Sequence, residues 1–145
     1  MKRNLITPVI AILVIVLFVY AALSKLTDYA NFKFGLSESP LIAPFAGFLA
    51  WAIPAGELAI AVMLLLPAWR LTGLVASFIL MMLFTLYIGG MLLLGTDIPC
   101  SCGGVLEDMS WGVHVIFNAF FVVLCAIGIQ LEIKKRKRVV QRQMA

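Results

Sequence analysis

Apolar residues run on through this chain in four long blocks, with little alternation of apolar and polar positions. Leu5 to Leu23 carries no charge, and Pro44 to Leu66 is broken only by Glu57. Leu71 to Leu94 and Met109 to Leu131 are again free of Asp, Glu, Lys and Arg. Each block exceeds the roughly 18 residues that argue for a helix crossing a bilayer. Hydrocarbon offers the backbone no water to bond to, so the blocks are predicted to be helices. The expected fold is an all-α membrane protein: a four-helix transmembrane bundle, one domain over residues 1–145, with a basic tail at 132–145. The stretch Ser24 to Ala43 interleaves Tyr29, Phe32, Phe34 and Leu36 with Lys25, Asp28, Lys33 and Glu38. That amphipathic pattern suits a segment lying in the membrane interface.

Composition agrees. The chain is 63% hydrophobic and 12% charged, with a mean hydropathy of +1.10, whereas soluble domains are about half apolar and a quarter charged. The net charge of +4 does not point to nucleic acid, because the bases gather at the ends of the apolar blocks. Lys2 and Arg3 precede the first, Arg70 separates the second and third, and Lys134, Lys135, Arg136, Lys137, Arg138 and Arg142 follow the fourth. Of the 11 Lys and Arg residues only Lys25 and Lys33 lie on the other side. The positive-inside rule then puts both termini in the cytoplasm, in an inner membrane, and the loop between the third and fourth helices on the periplasmic or extracellular side. Lys2 and Arg3 with Val19-Tyr20-Ala21 also resemble a cleavable leader. The first apolar run is longer than the usual leader core and three more follow, which favours a retained helix. Trp51 and Trp111 are expected near the outer interface and Trp69 near the inner one. The run Lys134 to Arg138 suits anionic headgroups.

The outer loop holds Pro99-Cys100-Ser101-Cys102-Gly103-Gly104. Two thiols one residue apart can attack and resolve a disulfide. A ring closed between positions i and i+2 is strained, hence readily exchanged. Asp97, Glu107 and Asp108 flank the pair and disfavour a thiolate. An inert pair, a structural staple, and metal or cofactor binding are the other readings. Zinc fits poorly, since the thiol spacing is not the usual one and a fourth ligand is missing beside His114. With His114 the single histidine, multi-haem electron transfer is excluded.

Beneath the loop, Glu57 stands about 13 residues into the second helix, roughly 20 Å deep by helical rise. A carboxylate at such a depth marks a functional site or an interhelical hydrogen bond. Pro54, one turn earlier, removes a backbone bond and makes room for a polar partner. His114 and Asn118 share one face of the fourth helix, continued by Phe121 and Cys125. With Glu57 they are expected to form a polar pocket handling protons or a quinone headgroup, or else to serve as a loop cap and interhelical glue. Cys125 is expected to pack, being too far along its helix to reach Cys102. Lys25 beside Asp28 reads as a snorkelling base, or as a gate over the loop. Ser77 and Thr85 can bond back into their own helix, and Gly73, Gly89 and Gly90 allow close helix contact.

Ser24-Lys25-Leu26, Pro54-x-x-Glu57 and Cys100-x-Cys102-Gly103 followed by Trp111, His114 and Asn118 together resemble the MauE/DoxX-like membrane proteins, over essentially the whole chain. The resemblance implies a small four-helix bundle that supports methylamine utilisation, where MauE-type proteins assist maturation of a disulfide-rich periplasmic dehydrogenase subunit beside a thioredoxin-like partner. It marks Cys100 and Cys102 as the redox pair, with Glu57 and Lys25 as matching polar positions. This chain departs from the pattern at Gly103-Gly104, where the family loop carries an aromatic, which suits a different client. The expected function is thiol–disulfide exchange or electron transfer to a periplasmic thioredoxin-like or client protein. The alternatives are a non-catalytic membrane subunit or assembly factor, and a quinone-linked oxidoreductase subunit as in the DoxX branch.

Overall fold

The computed structural model describes residues 3–95 and 110–145. Cys100 and Cys102 lie outside the described residues. Among the described residues there is no strand. The helices are α1 (Arg3–Thr27), α2 (Tyr29–Glu38), α3 (Ala46–Leu65), α4 (Arg70–Leu93) and α5 (Trp111–Met144), with a 3-10 turn at Ala43–Phe45 before α3. α1, α3, α4 and α5 are each long and apolar enough to cross a membrane. They are the four blocks expected from the sequence.

The connections make neighbours antiparallel. α1 packs on α3 and α5, and α4 packs on the same two, which closes a four-helix ring. Apolar side chains cover the outside as well as the inside: Val9, Ile12 and Val16 on α1 and Ile116, Phe120, Val123 and Ile127 on α5 are all exposed. Helices apolar all round belong in lipid. The turn Leu66–Trp69 is tight, with the Trp69 amide donating to the Leu66 carbonyl at 3.0 Å. The Arg136 guanidinium donates to the Ala68 carbonyl at 3.0 Å, so the α3–α4 turn and the far part of α5 share one end of the bundle. We call this the basic end. α4 stops at the opposite end on Gly95, whose φ of +64° is the left-handed conformation that a helix-ending glycine adopts readily.

The basic half of the bundle is closely packed. Ile10, Val14, Leu64, Leu74 and Cys125 join one core. A methyl group placed on Gly73 would lie 2.9 Å from Leu64 Cδ2 and 3.1 Å from the Leu64 amide nitrogen. One on Gly128 would lie 3.2 Å from Leu74 and 3.3 Å from Ile10. Gly73 is therefore the close helix contact that the sequence suggested, whereas Gly89 and Gly90 face open space. Ser77 and Thr85 bond back to the Gly73 and Met81 carbonyls, each at 2.7 Å, as expected.

The opposite half differs from the sequence reading. The segment expected as an interfacial loop continues α1 to Thr27 and then forms α2, which buries Phe32 and Leu36 against Ala46 and Ala50 of α3. Its far end is tied to α4, where the Ser39 and Tyr87 hydroxyls meet at 2.5 Å. Ten residues make a marginal helix alone, so this bond and the α3 contact hold α2. Tyr87→Phe would leave Ser39 buried without its partner, a loss of about 1–2 kcal/mol. Amide exchange through Tyr29–Glu38 is expected to quicken while α4 stays protected. Equal protection in both proteins would rule out the tether.

The basic tail is also helical. α5 has 34 residues, about 50 Å by helical rise, against a hydrocarbon core of about 30 Å. Its last turns, from Ile133 on, are exposed. Glu132, by contrast, is buried and lies 3.8 Å from Arg136.

Candidate functional site

Four of the polar residues singled out in the sequence come together, and the partner of Glu57 is the one least expected. The Lys25 ammonium meets Glu57 Oε1 at 2.8 Å, with the two residues only 5% and 1% exposed. Lys25 is thus neither snorkelling nor paired with Asp28, which instead accepts from Asn31 at 2.9 Å on the surface. The reason is directional. Helical side chains lean toward the N-terminus of their own helix. On α1 that turns Lys25 back toward the basic end, where it also donates to the Ala21 carbonyl at 3.4 Å. α3 runs the other way, so Glu57 leans up to meet it. The ammonium also lies 5.9 Å from the centre of the Phe32 ring, within the reach of a cation–π contact. A charge buried among apolar helices persists only when paired, and here each group supplies the other's counter-ion.

His114 and Asn118 stand one turn apart on α5, both buried, with Phe121 and Cys125 continuing the same face. That is the face the i, i+4 spacing predicted. Cys125 is fully buried in the apolar core, the packing role expected for it. Trp111, expected as an interfacial belt residue, stacks on the His114 ring at 5.8 Å. Trp51 and Trp69 are exposed on the outside of the bundle.

Lys25, Glu57, His114 and Asn118 all line one cavity of about 360 Å³. The rest of its wall is apolar and rich in rings: Phe18, Phe32, Phe84, Phe117, Tyr87 and Trp111. Helix geometry accounts for the void. α3 and α4 touch near Gly73, and α1 and α5 near Gly128. Away from those glycines the pairs are spaced by larger side chains, and Pro54 has no amide proton to give the Ala50 carbonyl. α2 contributes Phe32 and Leu36 to the wall.

The segment bearing Cys100 and Cys102 links the end of α4 to the start of α5. Ile88 on α4 and Trp111 on α5 are both cavity wall. The sequence foresaw Glu57, His114 and Asn118 as one group. It missed Lys25 as their fourth member, and Trp111 and Phe32 as walls. The only signal for Phe32 was the amphipathic spacing of Phe32 and Leu36.

Chemically, the arrangement can hold a small, largely apolar molecule and offer its polar atoms an ammonium, an imidazole and an amide. The family model described as Methylamine utilisation protein MauE matches residues 3–131, a stretch that takes in all four polar residues and both loop cysteines. No curated protein and no solved structure gives a match.

Proposed function

The chain belongs to the MauE family of methylamine utilisation proteins, and from that premise we propose that it is the membrane half of a thiol–disulfide exchange pair serving a process of that kind. In this reading both termini face the cytoplasm across an inner membrane. Lys2, Arg3, Arg70 and the α5 bases hold the basic end there, and Cys100 and Cys102 act on the extracytoplasmic side. The two thiols pass a disulfide to or from a thioredoxin-like or client protein: a thiolate attacks one sulfur, and the second thiol releases the mixed disulfide. The polar groups below the loop, Glu57 with Lys25, and His114 with Asn118, relay the protons that thiol exchange takes up and gives off.

One observation carries the reading. Four polar side chains from α1, α3 and α5 line a single cavity, and the cysteine segment springs from the two helices, α4 and α5, that wall it. A bundle serving only as scaffold has no reason to retain buried ionisable groups there, since each is expensive in lipid.

Trapping tests it. Cys102→Ser, or Cys100→Ser, should accumulate one mixed disulfide with a partner on non-reducing gels, and the double variant should accumulate none. If neither single variant traps a partner and both keep full function, the cysteines are a staple. The protein is then a non-catalytic subunit or assembly factor.

A further inference from the structure

Lys25 and Glu57 are bonded to each other, and His114 and Asn118 share a face of α5. Among the described residues no hydrogen bond joins the first pair to the second. Helical rise puts them at one level all the same. A methyl group on Gly128 of α5 would lie 3.3 Å from Ile10 of α1, which sets the register of these two antiparallel helices. Lys25 stands 15 residues beyond Ile10, and His114 stands 14 residues before Gly128. Both separations are about 21–23 Å along the axis. Helical side chains lean toward their own N-termini, so Lys25 reaches down α1 toward the level of Asn118. The space that all four residues line is the cavity.

The polar groups lining that space are left incompletely bonded by the protein. His114 and Asn118 are only 3% and 5% exposed, yet neither side chain has a hydrogen-bond partner among the described residues. Lys25 donates to two acceptors, and an ammonium has a third proton to give. Buried polar groups are nearly always bonded, so such exceptions call for an explanation. An ammonium, an imidazole and an amide together offer acceptors as well as donors. The molecule that answers them therefore both gives and takes hydrogen bonds. A metal ion would face the Lys25 ammonium and an anion the Glu57 carboxylate, so the occupant is neutral. Water meets each condition. A buried water needs about 10–15 Å³ of probe-sized space and about 2–4 polar partners. The cavity volume of about 360 Å³ is thus no limit. The number of polar partners is the limit, and it confines the water to the polar side of the cavity.

We propose that an ordered water cluster occupies this polar side and bridges Lys25 to His114 and Asn118. The inference deepens the exchange reading by naming the proton carrier, and the use made of the proton rests on that reading. A thiol proton taken up by the His114 imidazole passes to a water, and the cluster delivers a proton to the Lys25–Glu57 pair, where the carboxylate holds it. Each hop breaks one N–H or O–H bond and forms the next, so protons are conserved and no electron moves. The cluster makes one conducting unit of two pairs that do not touch.

The test uses the full chain, uniformly labelled with heavy nitrogen, in liposomes. His114 is the single histidine, so its ring nitrogens are read without overlap. In solid-state NMR, magnetisation transferred from water should reach the His114 ring and the Asn118 amide group quickly. It should reach the backbone amide of Cys125, fully buried in the apolar core, slowly. Asn118→Leu should lose most of the fast transfer to His114, whereas Asn118→Ser, which keeps a hydrogen-bonding group, should retain it. Lys25→Met/Glu57→Leu should slow transfer to Asn118. Transfer to His114 as slow as to Cys125 overturns the proposal. So does fast transfer that both leucine-bearing variants leave unchanged, which would mean that His114 is wetted from the membrane surface alone. Exchange is judged separately, by the mixed disulfides of the Cys100→Ser and Cys102→Ser proteins. A wet cavity with no trapped partner supports the cluster and removes the exchange reading, and a dry cavity with a trapped partner does the reverse.

Discussion

Lys25→Met is expected to cost the protein about 3–5 kcal/mol of stability, the usual penalty for stripping one partner from a buried ion pair. The charge it strands is Glu57, 1% exposed and in the body of α3. Membrane insertion scales give a similar size, about 2.5–3.5 kcal/mol for an unpaired charge at a helix centre. Glu57→Leu should cost less. It strands Lys25, which stands two residues before the end of α1, and a long basic stem can swing out to the headgroups. The double variant Lys25→Met/Glu57→Leu should recover most of the loss, because an apolar pair of similar volume replaces an ion pair at little cost. Unfolding in detergent by denaturant, run as a double-mutant cycle, reads all three. Additive losses in the double variant would mean that the 2.8 Å contact does not couple the two residues energetically. The double variant is also the useful one for function, since it separates folding from proton handling.

The second large effect is expected at Gly73. Even alanine there brings a carbon within 3.1 Å of the Leu64 backbone nitrogen, an atom that moves only if α3 moves. Overpacking of this kind costs about 1–3 kcal/mol, and Gly73→Val should fall at the upper end. Gly89→Ala is the control, having nothing within 4 Å, and should stay within about 0.5 kcal/mol of wild type. Thermal unfolding of the two variants side by side measures the difference. A Gly73→Val protein as stable as Gly89→Ala would show that the helices approach elsewhere.

Features written within one segment were legible from the sequence. Four apolar runs gave the spans, because hydrocarbon dictates both their length and their helicity. The His114, Asn118, Phe121 and Cys125 face was legible because one helix fixes it by spacing alone. The back-bonds of Ser77 and Thr85 follow from the same local geometry. What could not be read is how one helix is turned and set against another. Glu57 and Lys25 are 32 residues apart, and their meeting depends on opposite helix directions and a vertical offset that neither segment encodes. Along the sequence Asp28 is the nearer acid, and nothing local points from Lys25 to Glu57. Gly73 differs from Gly89 only in what faces it. α2 was hidden because half of its amphipathic pattern is used against α3 rather than against a lipid surface.

The Lys25–Glu57 pair also has a history within each molecule as it is made. Synthesis proceeds at about 5–20 residues per second, so the 32 residues between the two groups correspond to a delay of a few seconds. During that time α1 carries a cation with no counter-ion, and α3 then arrives bearing the matching acid. Neither helix reaches its most favourable state by itself. The first two crossings of this chain therefore settle as a unit, and the insertion machinery must keep α1 within reach until α3 has emerged.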